Sequence, residues 1–219
     1  MATVLSLVSA IALAHGVSES DQSFLQDTTG LQILPFLYLG AKHMVTGYDH
    51  LLFLCGVIFF LYRIKDIGVY VTLFAVGHST TLLMGVLNGW HINAYLVDAI
   101  IGLSIVYRAF DNLGGFKTLF GVQPNKKAAV LIFGFFHGLG LATKLQDFAL
   151  SQDGLIPNMV AFNVGVEIGQ LLALSMILIA MRYWRTTASF THHAMKGNFA
   201  LMMAGFVLAG FQLTGYLTK

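Results

Sequence analysis

Residues 40–53, GAKHMVTGYDHLLF, place two histidines and an aspartate at the start of a strongly apolar run. Single histidines also occur within the apolar stretches LFAVGHSTTLL (residues 73–83) and LIFGFFHGLGLA (residues 131–142). A strongly polar side chain at bilayer depth costs about 2.5–3.5 kcal/mol, so such residues persist mainly where they face a partner, a cavity or an ion. The histidines are therefore the first candidates for function.

The composition is typical of a membrane protein. Of the 219 residues, 57% are apolar and only 10% are charged, and the mean hydropathy is +0.75. Such a chain has room for a single membrane domain, which we expect to cover residues 31–219 and to contact the lipid bilayer. The net charge of +2 gives no reason to expect nucleic acid as a partner. Cys55 is the single cysteine, which excludes an intramolecular disulfide and a cysteine-based metal site.

Apolar length predicts an all-α, polytopic membrane helix bundle with about six transmembrane helices. The stretch before the first of them, residues 31–45, is apolar too, but Thr46 and Asp49 have the spacing of a capping box. We therefore expect a separate interfacial or re-entrant helix there; the alternative is one long kinked helix. The six spans are expected at residues 47–63, 67–87, 92–109, 128–146, 158–183 and 198–217.

The N-terminal residues resemble an export signal. Residues 1–14 form a short apolar segment that ends in Ala-Leu-Ala, the small-x-small form of a signal-peptidase site, so this signal-like segment is open to cleavage. Residues 15–30 carry acidic and no basic residues, which favours a polar linker outside the cytoplasm.

Basic residues predict the orientation. By the positive-inside rule the loops that carry them are cytoplasmic, in what we expect to be a bacterial inner membrane. These residues are Arg63 and Lys65; Arg108, Lys117, Lys126 and Lys127; and Arg182, Arg185 and Lys196.

The polar residues of different spans are predicted to meet at one depth. At about 1.5 Å per helical residue, His78, His137 and Glu167 lie roughly 13–15 Å from the outer helix ends. His43, Asp49 and His50 lie at the outer mouth. Imidazole and carboxylate ligands suit nickel, cobalt and zinc, so these six residues are the candidate metal ligands. Secondary candidates are Asp98, Asn163 and Gln170.

Each candidate also has a structural interpretation. Asp49 could serve only as a helix cap, and the histidines could be helix-packing residues bonded to neighbouring backbone. Asp98 could form a helix–helix hydrogen bond, and Glu167 could be a neutral structural acid.

Four motifs in order resemble the HupE/UreJ family of membrane proteins. They are residues 40–53, Gly77-His78-Ser79, Phe136-His137-Gly138 and residues 165–170 (GVEIGQ). The resemblance implies a divalent metal permease linked to nickel or cobalt uptake for the maturation of hydrogenase and urease. It also implies that the family's His-x5-Asp-His signature corresponds to His43, Asp49 and His50.

Two departures from the family's best known nickel permeases place the chain in a divergent branch. Met44 follows the first signature histidine, where those permeases carry proline. Residues 140–143 (GLAT) stand where they carry a further histidine-glutamate motif.

Three functions are compatible with these residues. The first is a secondary permease for a divalent ion, which acid would weaken because imidazole binds metal only when it is unprotonated. The chain has no Gly-x4-Gly-Lys-Ser/Thr loop, so a gradient or a partner would supply the energy. The second is an intramembrane zinc-dependent hydrolase, whose ligands would meet at one ion instead of following a path. The third is a non-transporting membrane accessory protein.

Overall fold

The computed structural model describes residues 29–146 and 151–218. Helices make up 85% of these residues, and no strand occurs among them. The eight helices are α1 (Ile33–Thr46), α2 (Tyr48–Ile58), α3 (Ile64–Asn88), α4 (Ala94–Asn112), α5 (Gly115–Phe120), α6 (Lys126–Gln146), α7 (Leu155–Arg185) and α8 (Ala188–Thr218). The signal-like segment and almost all of the polar linker lie outside the described residues.

Four of these helices, α3, α6, α7 and α8, are long and apolar enough to cross a membrane. They coincide with predicted spans, although α8 begins ten residues earlier than expected. Helix α4 has 19 residues and also coincides with a predicted span, but it carries Asp98, Arg108 and Asp111. Helix α2 has only 11 residues, so the predicted first span at 47–63 is too long. The described helices therefore fit an integral membrane protein.

The long helices pack in three close pairs, α3 with α6, α1 with α7 and α4 with α8. Glycine makes each close approach possible. A Cβ at Gly134 would lie 2.5 Å from the Phe74 carbonyl oxygen, and one at Gly102 would lie 2.7 Å from the Ala209 nitrogen. A Cβ at Gly165 would overlap the Leu37 carbonyl group. Small residues at the crossings thus allow backbone-to-backbone packing, as is common between membrane helices.

Helix α1 packs as part of the bundle. It packs along α7 and buries Phe36, Leu39 and Met44. Only Gly47 separates it from α2, so the structure is nearer to the kinked-helix alternative. The capping box is wrong: the Thr46 hydroxyl donates to the Lys42 carbonyl oxygen at 2.8 Å, and the N-cap of α2 is Gly47.

Helix α2 lies at the centre of the bundle, and its C-terminal end is capped by side chains from other helices. Arg108 Nη2 donates to the Val57 carbonyl oxygen at 3.1 Å, and Asn112 Nδ2 donates to that of Gly56 at 2.8 Å. Arg185 Nη2 donates to the carbonyl oxygens of Ile58 and Phe59. The last carbonyl groups of a helix have no partner within it, and these donors provide one while complementing the negative end of the helix dipole.

Arg108 is not a solvated loop residue, as the orientation argument assumed. It is 4% exposed and forms an ion pair with Asp111 at 2.5 Å. Lys126 Nζ lies 3.4 Å from the same carboxylate, and Gln123 donates to it at 2.8 Å. The loop orientation itself stays a prediction.

This buried pair leads to a prediction about stability. Breaking a buried ion pair by removing one partner costs about 3–5 kcal/mol, because the other charge is left buried. We expect Arg108→Met to lower the free energy of unfolding by an amount near the lower end of that range, since Lys126 still faces Asp111. Thermal unfolding in detergent measures the loss. The double variant Arg108→Met/Asp111→Asn should recover part of it, and additive losses would show that the two residues are not coupled.

Candidate metal site

Four helices contribute side chains to one buried cluster, which we call the histidine chamber: His43, Asp49, His50, His78 and His137. His43 lies in the last turn of α1, and Asp49 and His50 lie in the first turn of α2. The break at Gly47 brings these two turns together. Gly47 has room for no side chain, because a Cβ there would lie 2.7 Å from His50 Nδ1.

His50 is the central residue of the chamber. Its ring centroid lies 5.0 Å from that of His43, 5.9 Å from that of His78 and 5.2 Å from that of His137. His43, His50 and His78 each offer one ring nitrogen, and these nitrogens all lie within 4.8 Å of one another. Ligands at about 2.0–2.1 Å from one ion lie at most about 4.2 Å apart, so shifts of under about 1 Å would let all three nitrogens bind the same ion.

Asp49 joins the two sides of the chamber. Its Oδ2 lies 3.1 Å from His50 Nδ1 and 4.0 Å from His137 Nε2. His137 Nδ1 lies 2.8 Å from the Phe133 carbonyl oxygen, which can only accept a hydrogen bond. Nδ1 therefore carries the hydrogen, and in the neutral ring Nε2, on the Asp49 side, has the lone pair that a metal needs.

His78 has a further feature that favours a ligand. Its side chain is fully buried, and neither ring nitrogen has a hydrogen-bond partner among the residues that the structure describes. A buried polar group without a partner costs about 1–3 kcal/mol, and coordination to an ion would remove that cost for one nitrogen.

Aromatic side chains that sequence reasoning missed form the wall of the chamber. The Phe74 ring lies 5.0 Å from that of His137, 6.1 Å from that of His78 and 6.3 Å from that of His50. Phe53 lies 5.3 Å from His137. Helical spacing could have identified Phe74, because it precedes His78 by four residues and so shares its helix face.

Comparison with known proteins identifies the family. The HupE / UreJ protein family model matches residues 19–219, which is most of the chain. The chain belongs to the HupE/UreJ family. No curated protein and no solved structure shows a significant match. Membership of the HupE/UreJ family associates the chain with nickel and cobalt handling, in an accessory or transport role.

In this HupE/UreJ protein, Glu167 lies outside the histidine chamber. Its side chain is exposed and lines a groove between α3 and α7. The reason is helical spacing: Gly165 and Gly169 face α1, and a residue two positions from each points to nearly the opposite side of the helix. The expectation that Glu167 shares a chamber with His78 and His137 is therefore not met.

Each of the secondary candidates has a structural contact. Asp98 accepts a hydrogen bond from Lys144 Nζ at 2.7 Å, which joins α4 to α6. Gln170 is buried and donates to the Val71 carbonyl oxygen at 3.2 Å. Asn163 donates to the Met159 carbonyl oxygen at 3.1 Å, within its own helix. Sequence reasoning missed Lys144 as the partner of Asp98.

Proposed function

We propose that this HupE/UreJ protein is a secondary permease for a divalent transition metal ion of the nickel or cobalt class. The observation that carries the proposal is the break of the α1–α2 helix at Gly47, directly beside the ring nitrogens of His43, His50 and His78, which lie within 4.8 Å of one another. Asp49 lies beside these three ligands, 3.1 Å from His50 Nδ1 and 4.0 Å from His137 Nε2. The Asp49 carboxylate adds negative charge that a cation would neutralise. Neutral imidazoles suit nickel, cobalt and zinc.

The interrupted helix beside the chamber supports transport. Secondary transporters often bind ions where a membrane helix is broken, because helix ends and unwound backbone contribute polar groups there. Here the break at Gly47 lies four residues after His43 and three before His50. If α1 and α2 together form one broken crossing and α4 forms another, these two add to the four long helices and give six crossings. This is the number expected from the sequence.

The proposal is tested by metal binding and by flux. Purified protein is dialysed against Ni²⁺, Co²⁺ or Zn²⁺ and analysed for bound metal, and proteoliposomes are assayed for uptake of the same ions. We expect one ion per chain at the chamber, and uptake that His78→Ala abolishes. Absence of any bound ion from the wild-type protein would remove the proposal. A metalloenzyme maturation system in the cell is the proposed client.

Glu167 provides a matched comparison within the same experiment. Because its carboxylate lies outside the chamber, we expect Glu167→Gln to retain the wild-type amount of bound metal. Elemental analysis of Glu167→Gln and of the wild-type protein checks this. A loss of metal equal to that of His78→Ala would mean that Glu167 is a ligand and that the separation of the two sites is wrong.

A zinc-dependent hydrolase is the second candidate, because three ligands gathered at one point are also what a catalytic zinc requires. In that case Asp49 is the carboxylate placed to act as base. The two candidates differ in flux: a hydrolase retains its ion in proteoliposomes, whereas a permease carries it across.

A further inference from the structure

A second groove lies beside the C-terminal end of α7, on a surface that the metal proposal does not use. It has a volume of about 440 Å³ and runs between the end of α7 and the start of α3. Its lining combines apolar side chains, which include Ile64, Ile67 and Ile179, with Arg182, Arg185 and Tyr62. The groove is therefore lined by both apolar and cationic side chains.

Within the described residues, the two arginines of the groove have no counter-ion. Neither Arg182 nor Arg185 forms an ion pair with a carboxylate within the described parts of the chain. Asp66, in the first turn of α3, is exposed and pairs with neither of them. Two guanidinium groups three residues apart share one helix face, so together they attract an anion.

Arg185 is held in place for such contact. Its Nη2 donates to the Phe59 carbonyl oxygen at 2.8 Å, and its Cζ lies 4.6 Å from the centre of the Tyr62 ring. Its buried Nε has no acceptor among the described residues. One guanidinium is therefore already ordered, and Arg182 beside it is exposed.

Helix length places these arginines at the membrane interface. A helix of 31 residues extends about 46 Å at 1.5 Å per residue. The hydrocarbon layer is about 30 Å thick, so α7 is longer than this layer. We expect its charged last turn, with Arg182 and Arg185, among the lipid headgroups, because charged side chains are costly in hydrocarbon.

We propose that this groove binds an anionic phospholipid, with the headgroup phosphate at Arg182 and Arg185 and an acyl chain along the isoleucine side chains. Guanidinium groups match phosphate geometry, and basic pockets between membrane helices are typical sites for anionic headgroups. The isoleucine side chains favour a lipid over free phosphate, because free phosphate has no apolar part that could contact them. Lipid bound here contacts the residue that caps α2, the helix that carries Asp49 and His50.

Native mass spectrometry of the detergent-purified full chain, prepared without metal, tests the lipid site. Phosphatidylglycerol and phosphatidylcholine with identical acyl chains are compared. We expect the wild-type protein to prefer phosphatidylglycerol by about fivefold or more, and Arg182→Gln to lower that preference by about fivefold. Lys127→Gln, which removes an equal charge from an exposed position on α6, should keep the wild-type preference.

Three results would overturn the lipid site: no preference for phosphatidylglycerol, equal losses in Arg182→Gln and Lys127→Gln, or full displacement of the lipid by inorganic phosphate. Arg182→Lys keeps the charge but loses the guanidinium geometry, so it should retain part of the preference that Arg182→Gln loses, which separates loss of binding from loss of folding. Because no metal is present, failure here leaves the metal proposal untouched.

Discussion

His50→Ala is expected to lower the affinity of the protein for Ni²⁺ or Co²⁺ by at least about 100-fold. Loss of a residue that only supports a ligand typically costs 10–100-fold in metal affinity, and His50 is proposed as a ligand itself. Its ring is the one that lies close to all three other imidazoles of the chamber. Removing it therefore takes away the imidazole that contacts every other ring of the chamber.

Isothermal titration with each ion measures the change. The control is His91→Ala, because His91 is an exposed histidine in the loop between α3 and α4. We expect wild-type affinity in this control. Equal affinity in His50→Ala and the wild type would mean that the chamber does not hold the ion.

Among glycine-to-alanine substitutions at the contact between α3 and α6, Gly138→Ala is expected to cause the largest loss of stability. An added Cβ would overlap the backbone carbonyl group of His78, and backbone cannot rotate away as a flexible side chain can. Overpacking of this kind costs about 1–3 kcal/mol or more. Because Gly138 follows His137 and contacts His78, separation of the helices would also move both imidazoles, and metal binding should fall with stability.

Thermal unfolding in detergent, with and without metal, measures both effects. Gly68→Ala is the matched control, because it adds the same methyl group to α3 at a position with nothing within 4 Å. That substitution should leave the unfolding temperature unchanged or raise it slightly, since alanine favours helix more than glycine does. Similar behaviour of the two variants would contradict the proposed close packing of α3 on α6.

The helices could largely be predicted from the sequence, because long apolar segments in a membrane protein have few alternatives to helix. The break before Tyr48 was also predicted, although for the wrong reason. The capping-box spacing at Thr46 suggested it, whereas Gly47 makes room for the His50 ring. The length of α2 could not be read in this way, because Arg108 and Arg185, distant in sequence, cap its last carbonyl groups.

The candidate site was predicted in part. Depth along the helices predicted His78 and His137 below the signature histidines at the mouth, whereas the structure brings all of these rings together in one cluster. The prediction failed for Glu167, because the depth of a residue along a helix does not show which side of the helix its side chain faces. The two glycines that flank Glu167 carry that information, since they mark the face that packs on α1. The pairing of Asp98 with Lys144 depends on how α4 packs against α6, which the sequence does not show.

X-ray absorption spectroscopy of the nickel-loaded protein tests most directly whether imidazoles from three helices bind one ion. The account predicts a first shell of nitrogen and oxygen atoms with the multiple-scattering pattern of about three imidazoles, reduced by one ring in His78→Ala. It predicts no sulfur ligand, because Cys55 lies outside the chamber. A shell with no imidazole pattern, or a spectrum unchanged in His78→Ala, would contradict it.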